Sequence, residues 1–585
     1  MGSMTVPEYS TDVARSTTNY RAARDLLLRL RSDHAAASAA FDWPDVGPSF
    51  NWATDWFDVI ADGNDRIALW IVEEDGSEQK ISFAQMKERS DRVAGWLLAV
   101  GVAPGDHVML MLGNQVEIWE SMLAIMKVGA VIMPTSAMLS PTDLADRVDR
   151  GGVQHVIVNA RDSAKFAGLA GGFTRIRVGT PAPSGQTDAG GWLDYADSAR
   201  AEPLSQAVPV ASDDPSLIYF TSGTTSKPKM VLHTQVSYPV GHLSTMYWLG
   251  LRPGDVHLAI SSPGWGKHAW SCFFAPWIAE ATVFVYNYST FDPVALTEQL
   301  HRADVSTFCA PPTVWRMLIQ SNVGAKPLNL RELLSAGEPL NPEVISQIDR
   351  AWGLTIRDGY GQTETTAIVG NAPGSELLAG SMGLPLPGVA IALLDPITGE
   401  EADEGEICLD LRSRAVNLMQ GYHGDPARTD EATRGGYFRT GDVARREPNG
   451  YLTFIGRTDD VFKSSDYKVS PFEVESVLIE HPAVAEAAVV PAPDDTRLNI
   501  AKAYVHLAAG WQPNRETALS VLRHAREGLP PYMRVRRVEF FELPKTSSGK
   551  IRRVELRARE NAAAQAGERL VDEWRDDQFP ELKRH

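Results

Sequence analysis

Hydroxyl and ammonium side chains are concentrated in one segment near the middle of the chain, directly after a short apolar stretch. Residues 217–220 predict a strand, and the segment that follows contains a glycine, several hydroxyl residues and two lysines. A loop of this composition can present backbone N–H groups, hydroxyls and positive charge to a polyphosphate. It lacks the spacing of a Walker loop, and seen in isolation it is equally compatible with a polar surface turn. The residues expected to contact phosphate are Thr221, Ser222, Gly223, Thr224, Thr225 and Lys229.

Five more segments combine glycine with charged or hydroxyl side chains, and they follow at 336–339, 359–365, 437–442, 456–460 and 544–550. Together with residues 219–229 they resemble, in the same order, the signature motifs of the acyl-adenylate-forming enzymes. That family includes acyl-CoA synthetases, the adenylation domains of peptide synthetases and beetle luciferases. Residues 336–343 and 359–362 resemble the medium-chain acyl-CoA synthetases in particular. Because six motifs in order are hard to obtain by chance, the resemblance predicts membership of this family.

The resemblance implies an enzyme that joins a carboxylic acid to AMP and then passes the acyl group to a thiol. A carboxylate has no leaving group, so it must first attack the α-phosphorus of ATP to form a mixed anhydride. ATP, Mg²⁺ and coenzyme A are the implied cofactors, and a small carboxylic acid is the implied substrate. The implied catalytic residues are Lys550, Thr363 and Glu364, with Glu364 as the magnesium ligand. A non-catalytic relative would be expected to lack Lys550 or Glu364, and both are present.

Most other motif residues are expected to hold the nucleotide. By resemblance, Tyr360 packs on the adenine ring, Asp442 binds the ribose hydroxyls and Arg457 contacts ribose or phosphate. Taken alone, Tyr360 is equally compatible with a core position, and Asp442 with a turn. The nucleotide-binding residues expected outside the phosphate loop are Gly337, Glu338, Pro339, Asp358, Gly359, Tyr360, Gly361, Gln362, Thr363, Asp442, Arg457 and Lys468.

The acyl and CoA pocket is expected to involve Trp265, His268, Gly361 and Asp466. Relatives specific for acetate place a tryptophan before the motif glutamine, whereas this chain has Gly361 there. That glycine predicts an open pocket floor and a medium-chain or aromatic acid. Asp466 replaces a glycine that the family often has in this loop, near the path of the thiol. The acceptor therefore stays open between CoA and a separate carrier protein.

Alternating strand and helix patterns must position these residues. Residues 67–72 predict a strand, Ser82 and Gln85 form a capping-box pattern, and apolar residues at helical spacing follow. The alternation continues to about residue 450 and predicts an α/β fold, with a large N-terminal domain of mixed or parallel sheets flanked by helices. A second series of strands and helices after residue 456 predicts a small, mobile α+β C-terminal domain.

A chain of 585 residues is too long for a single compact core, so more than one domain is expected. We expect an N-terminal extension at 1–40, a large adenylate-forming domain at 41–456, a hinge at 457–460 and a small domain at 461–585. Asp459 occupies the position that the resemblance assigns to the hinge, and an ordinary linker residue is the alternative. Many relatives are dimers, so a homodimer is compatible with the sequence.

Composition excludes several other classes of protein. The net charge of −18 argues against nucleic acid as a partner. Cys272, Cys309 and Cys408 are far apart and have no metal-ligand spacing, which favours a reducing, cytoplasmic setting without a disulfide framework. The most apolar stretches are interrupted by Lys127 and Glu280, so no membrane span is expected.

Overall fold

The computed structural model describes residues 6–179, 191–221, 227–321, 323–338, 340–378, 380–396, 398–464, 467–494, 498–545, 551–567, 570 and 572–584. The side chains of residues 6–14, 468, 498, 583 and 584 lie outside this description. The chain divides into two compact units. The first comprises Met1–Ile391 and Leu409–Phe438, and the second comprises Ala392–Cys408 and Arg439–His585.

The α-helices of the described chain range from single turns to more than six turns. In chain order they are α1 Val6–Arg29, α2 His34–Ala40, α3 Asp58–Ala61, α4 Phe83–Ala99, α5 Val116–Lys127, α6 Pro141–Arg150, α7 His242–Leu249, α8 Gly266–Ala269, α9 Ala275–Ile278, α10 Pro293–Arg302, α11 Pro312–Gln320, α12 Pro342–Trp352, α13 Pro426–Ala432, α14 Pro471–Ile479, α15 Arg515–Gly528 and α16 Arg553–Ala566. Within the described residues, none of these helices has both the length and the apolar composition required to cross a membrane.

The β-strands of the described chain are mostly short. In chain order they are β1 Ile67–Val72, β2 Glu78–Ser82, β3 His107–Met111, β4 Val131–Pro134, β5 His155–Asn159, β6 Thr174–Val178, β7 Trp192–Asp194, β8 Pro215–Thr221, β9 Lys229–Thr234, β10 Val256–Ala259, β11 Thr282–Tyr286, β12 Thr307–Ala310, β13 Glu332–Ala336, β14 Ile356–Gly361, β15 Ala367–Gly370, β16 Leu384–Pro385, β17 Ile391–Leu394, β18 Glu404–Asp410, β19 Gly421–Tyr422, β20 Tyr437–Arg446, β21 Leu452–Arg457, β22 Phe462–Ser464, β23 Tyr467–Val469, β24 Val484–Asp494, β25 Leu498–Leu507, β26 Val535–Phe540 and β27 Glu573–Arg575.

The first unit contains two large mixed sheets. One has the strand order β16-β15-β14-β13-β12-β10-β11-β1-β2, and the other has β19-β9-β8-β4-β3-β5-β6-β7. The inner strands pair in parallel, whereas antiparallel pairs such as β8–β9 and β14–β15 lie towards the edges. Strands such as β4 and β5 are buried along their whole length, as expected when helices cover both faces of a parallel sheet. The predicted α/β fold is confirmed.

Local sequence signals account for the boundaries of several elements. The strand predicted at residues 67–72 is β1. Ser82 caps α4 as predicted, because its Oγ accepts from the backbone N–H of Gln85 and the Gln85 side chain accepts from the Ser82 N–H. This reciprocal pairing satisfies two N–H groups that the first helical turn leaves without partners.

The predicted N-terminal extension is packed onto the first unit. Tyr20 is buried and its hydroxyl donates to the carbonyl oxygen of Pro239 at 3.2 Å. Arg24 forms an ion pair with Glu280 at 3.0 Å and lies over the ring of Trp56. Residues of α1 therefore contribute to the core of this unit.

The second unit has the α+β composition predicted for the C-terminal part of the chain. Its main sheet has the order β24-β25-β26-β27, and α14 and α15 pack with it around an apolar core. The unit also takes in residues 439–456, which the sequence assigned to the large domain. Ser470 Oγ donates to the carbonyl oxygen of Ile455, and the ring of Phe454 meets the edge of Phe472. The structural boundary therefore lies within β20, between Phe438 and Arg439, while the hinge at 457–460 stays a prediction.

Candidate active site

The predicted phosphate loop connects two antiparallel strands of the first unit. Thr221 ends β8 and Lys229 begins β9, and these two residues are directly paired in the sheet. The expected phosphate contacts Ser222, Gly223, Thr224 and Thr225 lie outside the described residues. The pairing of Thr221 with Lys229 fixes both ends of the loop at the same edge of the eight-stranded sheet.

Lys229 and Glu364 are brought together by a tyrosine that sequence reasoning missed. The hydroxyl of Tyr422 donates to Oε1 of Glu364 at 3.1 Å, and the Lys229 ammonium group donates to the same hydroxyl at 3.4 Å. The direct distance between Lys229 Nζ and Glu364 Oε1 is 3.9 Å. Tyr422 thus links the cation at the end of the predicted phosphate loop to the expected metal ligand.

The connection between β14 and β15 carries Thr363 and Glu364 and is held by several hydrogen bonds. Thr365 Oγ1 accepts from the N–H of Gln362 at 3.1 Å and donates to the carbonyl oxygen of Thr366 at 2.9 Å. The carbonyl oxygen of Glu364 accepts from the N–H of Met419 at 2.8 Å. Thr366 adopts a positive φ of 140°, a strained conformation for a β-branched residue. These bonds hold the two predicted catalytic side chains of the first unit in place.

His233 is hydrogen-bonded to the backbone of the same connection. Its Nε2 lies 2.7 Å from the carbonyl oxygen of Thr363, and its Nδ1 lies 2.9 Å from Ser237 Oγ. Because a carbonyl oxygen can only accept, we assign the proton to Nε2. Complete burial lowers the pKa of His233 to about 4, so the ring is neutral near pH 7. His233 therefore has a structural role in this arrangement.

The predicted nucleotide-binding residues 337–339 and 358–361 lie where the adjacent strands β13 and β14 end. Gly337 has a φ of 109°, which favours glycine, and it follows directly after Ala336, the last residue of β13. Glu338 is half-buried, and Pro339 lies outside the described residues. Burial raises the pKa of Asp358 to about 7, although its Oδ1 accepts from the N–H of Gly359 at 2.9 Å.

Gly361 packs closely against its neighbours. A Cβ at this position would lie 2.0 Å from the carbonyl oxygen of Thr366 and 2.7 Å from the ring of Trp270. Trp270 is buried, and its Nε1 donates to the hydroxyl of Tyr238 at 2.7 Å. Gly361 is therefore required for close packing in this strand, and the open pocket floor stays a prediction.

The other residues predicted for the acyl pocket of the first unit differ in exposure. Trp265 directly precedes α8 and is half-buried. His268 is buried: its Nε2 lies 3.2 Å from Oδ1 of Asn114 and its ring packs against Trp119. Burial lowers the pKa of His268 to about 3, so this ring is neutral near pH 7. The pocket roles of both residues stay predictions.

The second unit contains the predicted ribose and hinge residues in one cluster. Asp442 in β20 is paired across the sheet with Arg457 in β21, and Arg457 Nη1 lies 3.1 Å from Asp442 Oδ1. Arg457 Nε also lies 3.5 Å from Oδ1 of Asp459. Arg457 therefore holds Asp442, and Asp459 lies at the end of the same strand pair.

Three predicted residues of the second unit are outside what the structure describes. Asp466 and Lys550 lie in segments that are not described, and only the backbone of Lys468 is described, as part of β23. The predicted catalytic role of Lys550 and the pocket role of Asp466 therefore stay predictions.

Two family models match the chain. The model for AMP-binding enzymes matches residues 57–423, and the model for the C-terminal domain of AMP-binding enzymes matches residues 473–550. The first match contains Lys229, Thr363, Glu364 and Tyr422, the second ends at Lys550, and Asp442, Arg457 and Asp459 lie between the two.

Known proteins are similar over nearly the whole chain. It is 41% identical to 4-hydroxybutyrate–CoA ligase 1 of Metallosphaera sedula, covering 89% of this chain and 92% of that protein. It is 35% identical to a mitochondrial acyl-coenzyme A synthetase of Mus musculus, covering 87% and 90% of the two chains. Among solved structures, the anthranilate CoA ligase AuaEII in complex with anthranoyl-AMP has a TM-score of 0.79 at 26% identity, covering 89% and 99%. The chain therefore belongs to the acyl-adenylate-forming family of AMP-binding enzymes and is similar within it to the medium-chain acyl-CoA synthetases.

Proposed function

We propose that this protein is an AMP-forming acid:CoA ligase that activates a medium-chain or aromatic carboxylic acid. The observation that carries the proposal is the convergence of Thr363, Glu364 and Lys229 at the end of the predicted phosphate loop. The names of the related proteins support CoA, rather than a carrier protein, as the acceptor. A cytoplasmic location and a homodimer stay predictions, and the three cysteines are buried.

The first half-reaction needs positive charge and oriented donors around the α-phosphate. The acid carboxylate attacks the α-phosphorus, the bond to the β-phosphate oxygen breaks, and pyrophosphate leaves. Lys229 supplies an ammonium group at the end of the phosphate loop, and Thr363 supplies a hydroxyl on a connection fixed by His233. Donors held in place before the reaction stabilise charge that develops in the transition state without reorganising.

Glu364 fits the role of a protein ligand for magnesium that arrives with ATP. Among the described residues, no group of three or more His, Cys, Asp or Glu side chains could bind a metal ion without substrate. Magnesium in nucleotide enzymes commonly takes one or two carboxylates, with phosphate and water oxygens completing the set. Bound there, the ion would neutralise phosphate charge. Glu364 is buried and fixed by Tyr422, as a single carboxylate ligand should be.

The second unit has a surface cavity suited to a nucleotide such as that of CoA. The cavity has a volume of about 260 Å³ and is lined in part by Tyr467, Tyr532, Arg534 and Arg536. The two tyrosine rings are stacked with their centroids 4.7 Å apart. Aromatic faces and guanidinium groups bind bases and phosphates, respectively, so the chemistry of this cavity is compatible with CoA.

The proposal is tested by incubating the full-length protein with ATP, Mg²⁺, CoA and a pooled panel of aliphatic and aromatic acids. Products are identified by mass spectrometry. We expect AMP, pyrophosphate and one dominant acyl-CoA, whose mass identifies the acid. Acyl-adenylate without acyl-CoA would contradict CoA as the acceptor and support a carrier protein. Absence of pyrophosphate with every acid would overturn the proposed function.

A further inference from the structure

Lys267 places an ammonium group at the carboxyl end of β13, an inner strand of the nine-stranded sheet, next to the candidate site. It is the second residue of α8, and its Nζ donates to the carbonyl oxygen of Ala336 at 3.1 Å, where β13 ends. The preceding residue of the helix contacts the connection between β14 and β15. A Cβ added to Gly266 would lie 3.1 Å from Oγ1 of Thr363. A single turn of helix therefore joins the position of Thr363 to the end of β13.

The positive charge of Lys267 is incompletely compensated within the described part of the chain. No carboxylate there lies at ion-pair distance, and the charge acts on Asp358 and on the Cys309 thiol, where it opposes the effect of burial. An ammonium group has three donors, and the Ala336 carbonyl oxygen accounts for one of them. A charged donor that is partly desolvated favours a ligand that supplies an acceptor.

The surroundings of Lys267 combine apolar and polar groups. Trp270 follows three residues later in the same helical run, and its ring lies beside Gly361. Polar groups are also near, because the charge of Lys267 acts on the buried Asp358 and His257. Small-molecule sites combine apolar lining with a few placed polar groups, which fix the orientation of the ligand.

We propose that Lys267 recognises a second oxygen function of the acid, a hydroxyl or a carboxylate remote from the carboxylate that is activated. This inference rests on the proposed function, because it takes the reacting carboxylate to lie at Thr363 and Glu364. An unsubstituted alkyl or aryl acid would offer the ammonium group no acceptor beyond the Ala336 carbonyl oxygen. Sites built to bond a polar group reject analogues that lack it more strongly than apolar pockets discriminate by size.

Matched acids test this directly. Butyrate, 4-hydroxybutyrate and succinate share a four-carbon chain, and benzoate can be compared with its three hydroxy isomers. We measure kcat/KM for each acid by pyrophosphate release from the full-length protein with ATP, Mg²⁺ and CoA. The best oxygenated acid should exceed its parent by roughly 10- to 100-fold. Comparison of 4-hydroxybutyrate with succinate shows whether Lys267 recognises a hydroxyl or a second carboxylate.

Substitutions of Lys267 test whether this residue causes the preference for oxygenated acids. Lys267→Met removes the charge at similar length and should abolish the preference for the oxygenated acid. Lys267→Gln keeps a neutral donor and should retain part of a preference for a hydroxyl but none for a carboxylate. Lys326→Met is the matched control, because the Lys326 ammonium group also donates to backbone carbonyls, those of Pro327 and Leu330 among them. The control should keep the wild-type ratio.

The ratio of two acids within one variant is insensitive to partial loss of folded enzyme. An unchanged ratio in Lys267→Met, with parent acids still converted to acyl-CoA, would overturn this inference and leave the proposed function intact. A higher KM for ATP without a change in the acid ratio would instead assign Lys267 to the nucleotide. Failure to convert any acid would overturn both.

Discussion

At the scale of single residues, the site depends on how Glu364 and Lys229 are kept in position. Both side chains are largely buried, and a charge removed from water requires hydrogen-bonding partners. The Tyr422 hydroxyl serves both at once, since it accepts from the Lys229 ammonium group and donates to the Glu364 carboxylate. Tyr422 therefore orients two charged groups that are too far apart for a short contact of their own.

Tyr422→Phe should slow adenylate formation while leaving the fold intact. The variant loses two hydrogen bonds to charged groups, and one such bond contributes about 1.5–3 kcal/mol. We expect kcat to fall by roughly 10- to 100-fold, with more Mg²⁺ needed for half-maximal activity. The measurement is pyrophosphate release during a titration with Mg²⁺ at saturating ATP.

Tyr195→Phe is the matched control for this variant. Tyr195 is also buried and also contacts a carboxylate, that of Glu120, which is paired with Arg89 far from the site. Its removal should leave the dependence on Mg²⁺ unchanged. If Tyr422→Phe showed the wild-type dependence on Mg²⁺, the positioning role of Tyr422 would be wrong.

The sequence predicted the charged and hydroxyl residues of the site better than the residues that hold them in position. Thr363 and Glu364 occur in a recognisable motif, and the structure places them together with Lys229. Tyr422 lies 58 residues after Glu364, in a two-residue strand, and no local spacing connects the two. Long-range side-chain contacts of this kind depend on tertiary packing, so a single sequence does not reveal them.

At the scale of secondary structure, a buried network joins the elements on either side of the segment that carries Lys550. Lys502 in β25 lies 2.7 Å from Glu539 of β26, 2.7 Å from Glu560 of α16 and 2.9 Å from Glu573 of β27. All four side chains are almost completely buried. Since residues 541–552 connect β26 to α16, Lys502 joins the strand before that connection to the helix after it through Glu539 and Glu560.

Lys502→Met should destabilise the second unit strongly. Removing one member of a buried ionic network leaves uncompensated charge, and the typical cost is about 3–5 kcal/mol. We expect hydrogen exchange in β25, β26 and α16 to accelerate, with a lower rate of adenylate formation because the segment of Lys550 is less fixed. The measurements are hydrogen exchange by mass spectrometry and pyrophosphate release.

An exposed ion pair of the same unit provides the comparison. Arg515 and Glu581 are both close to half exposed and lie 3.0 Å apart. Arg515→Met should cost about 1 kcal/mol or less, because solvent screens exposed pairs. Similar exchange rates in the two variants would show that the Lys502 network does not stabilise the unit.

Elements with strong local signals were predicted well, and those shaped by packing were not. The capping box at Ser82 and the strand at residues 67–72 follow the sequence closely. The π turn at Trp270–Phe274, which interrupts the helical run between α8 and α9, has no signal in the apolar pattern around it. The assignment of residues 439–456 to the second unit has no local signal either, because it follows from tertiary contacts such as that of Ser470 with the backbone of Ile455.

At the scale of the whole molecule, the residues predicted to take part in the reaction are divided between the two units. Thr363, Glu364 and Lys229 belong to the first unit, and Asp442, Arg457, Asp459 and Lys550 belong to the second. Two half-reactions with different nucleophiles require different groups near the acyl carbon. A rotation of the second unit about Asp459, as the resemblance to the family implies, would exchange those groups between the half-reactions.

Lys550→Ala should separate the two half-reactions. If Lys550 acts only when the adenylate forms, its loss removes a cation from a transition state that concentrates negative charge. Adenylate formation should then fall by roughly 10²–10³-fold, whereas the variant should still convert supplied acyl-adenylate and CoA to acyl-CoA near the wild-type rate. Each half-reaction is measured separately, by pyrophosphate release and by formation of acyl-CoA, with Lys326→Met as a control that should retain both. Equal loss of the two half-reactions would contradict a rotation about Asp459, because one arrangement of the units would then serve both steps.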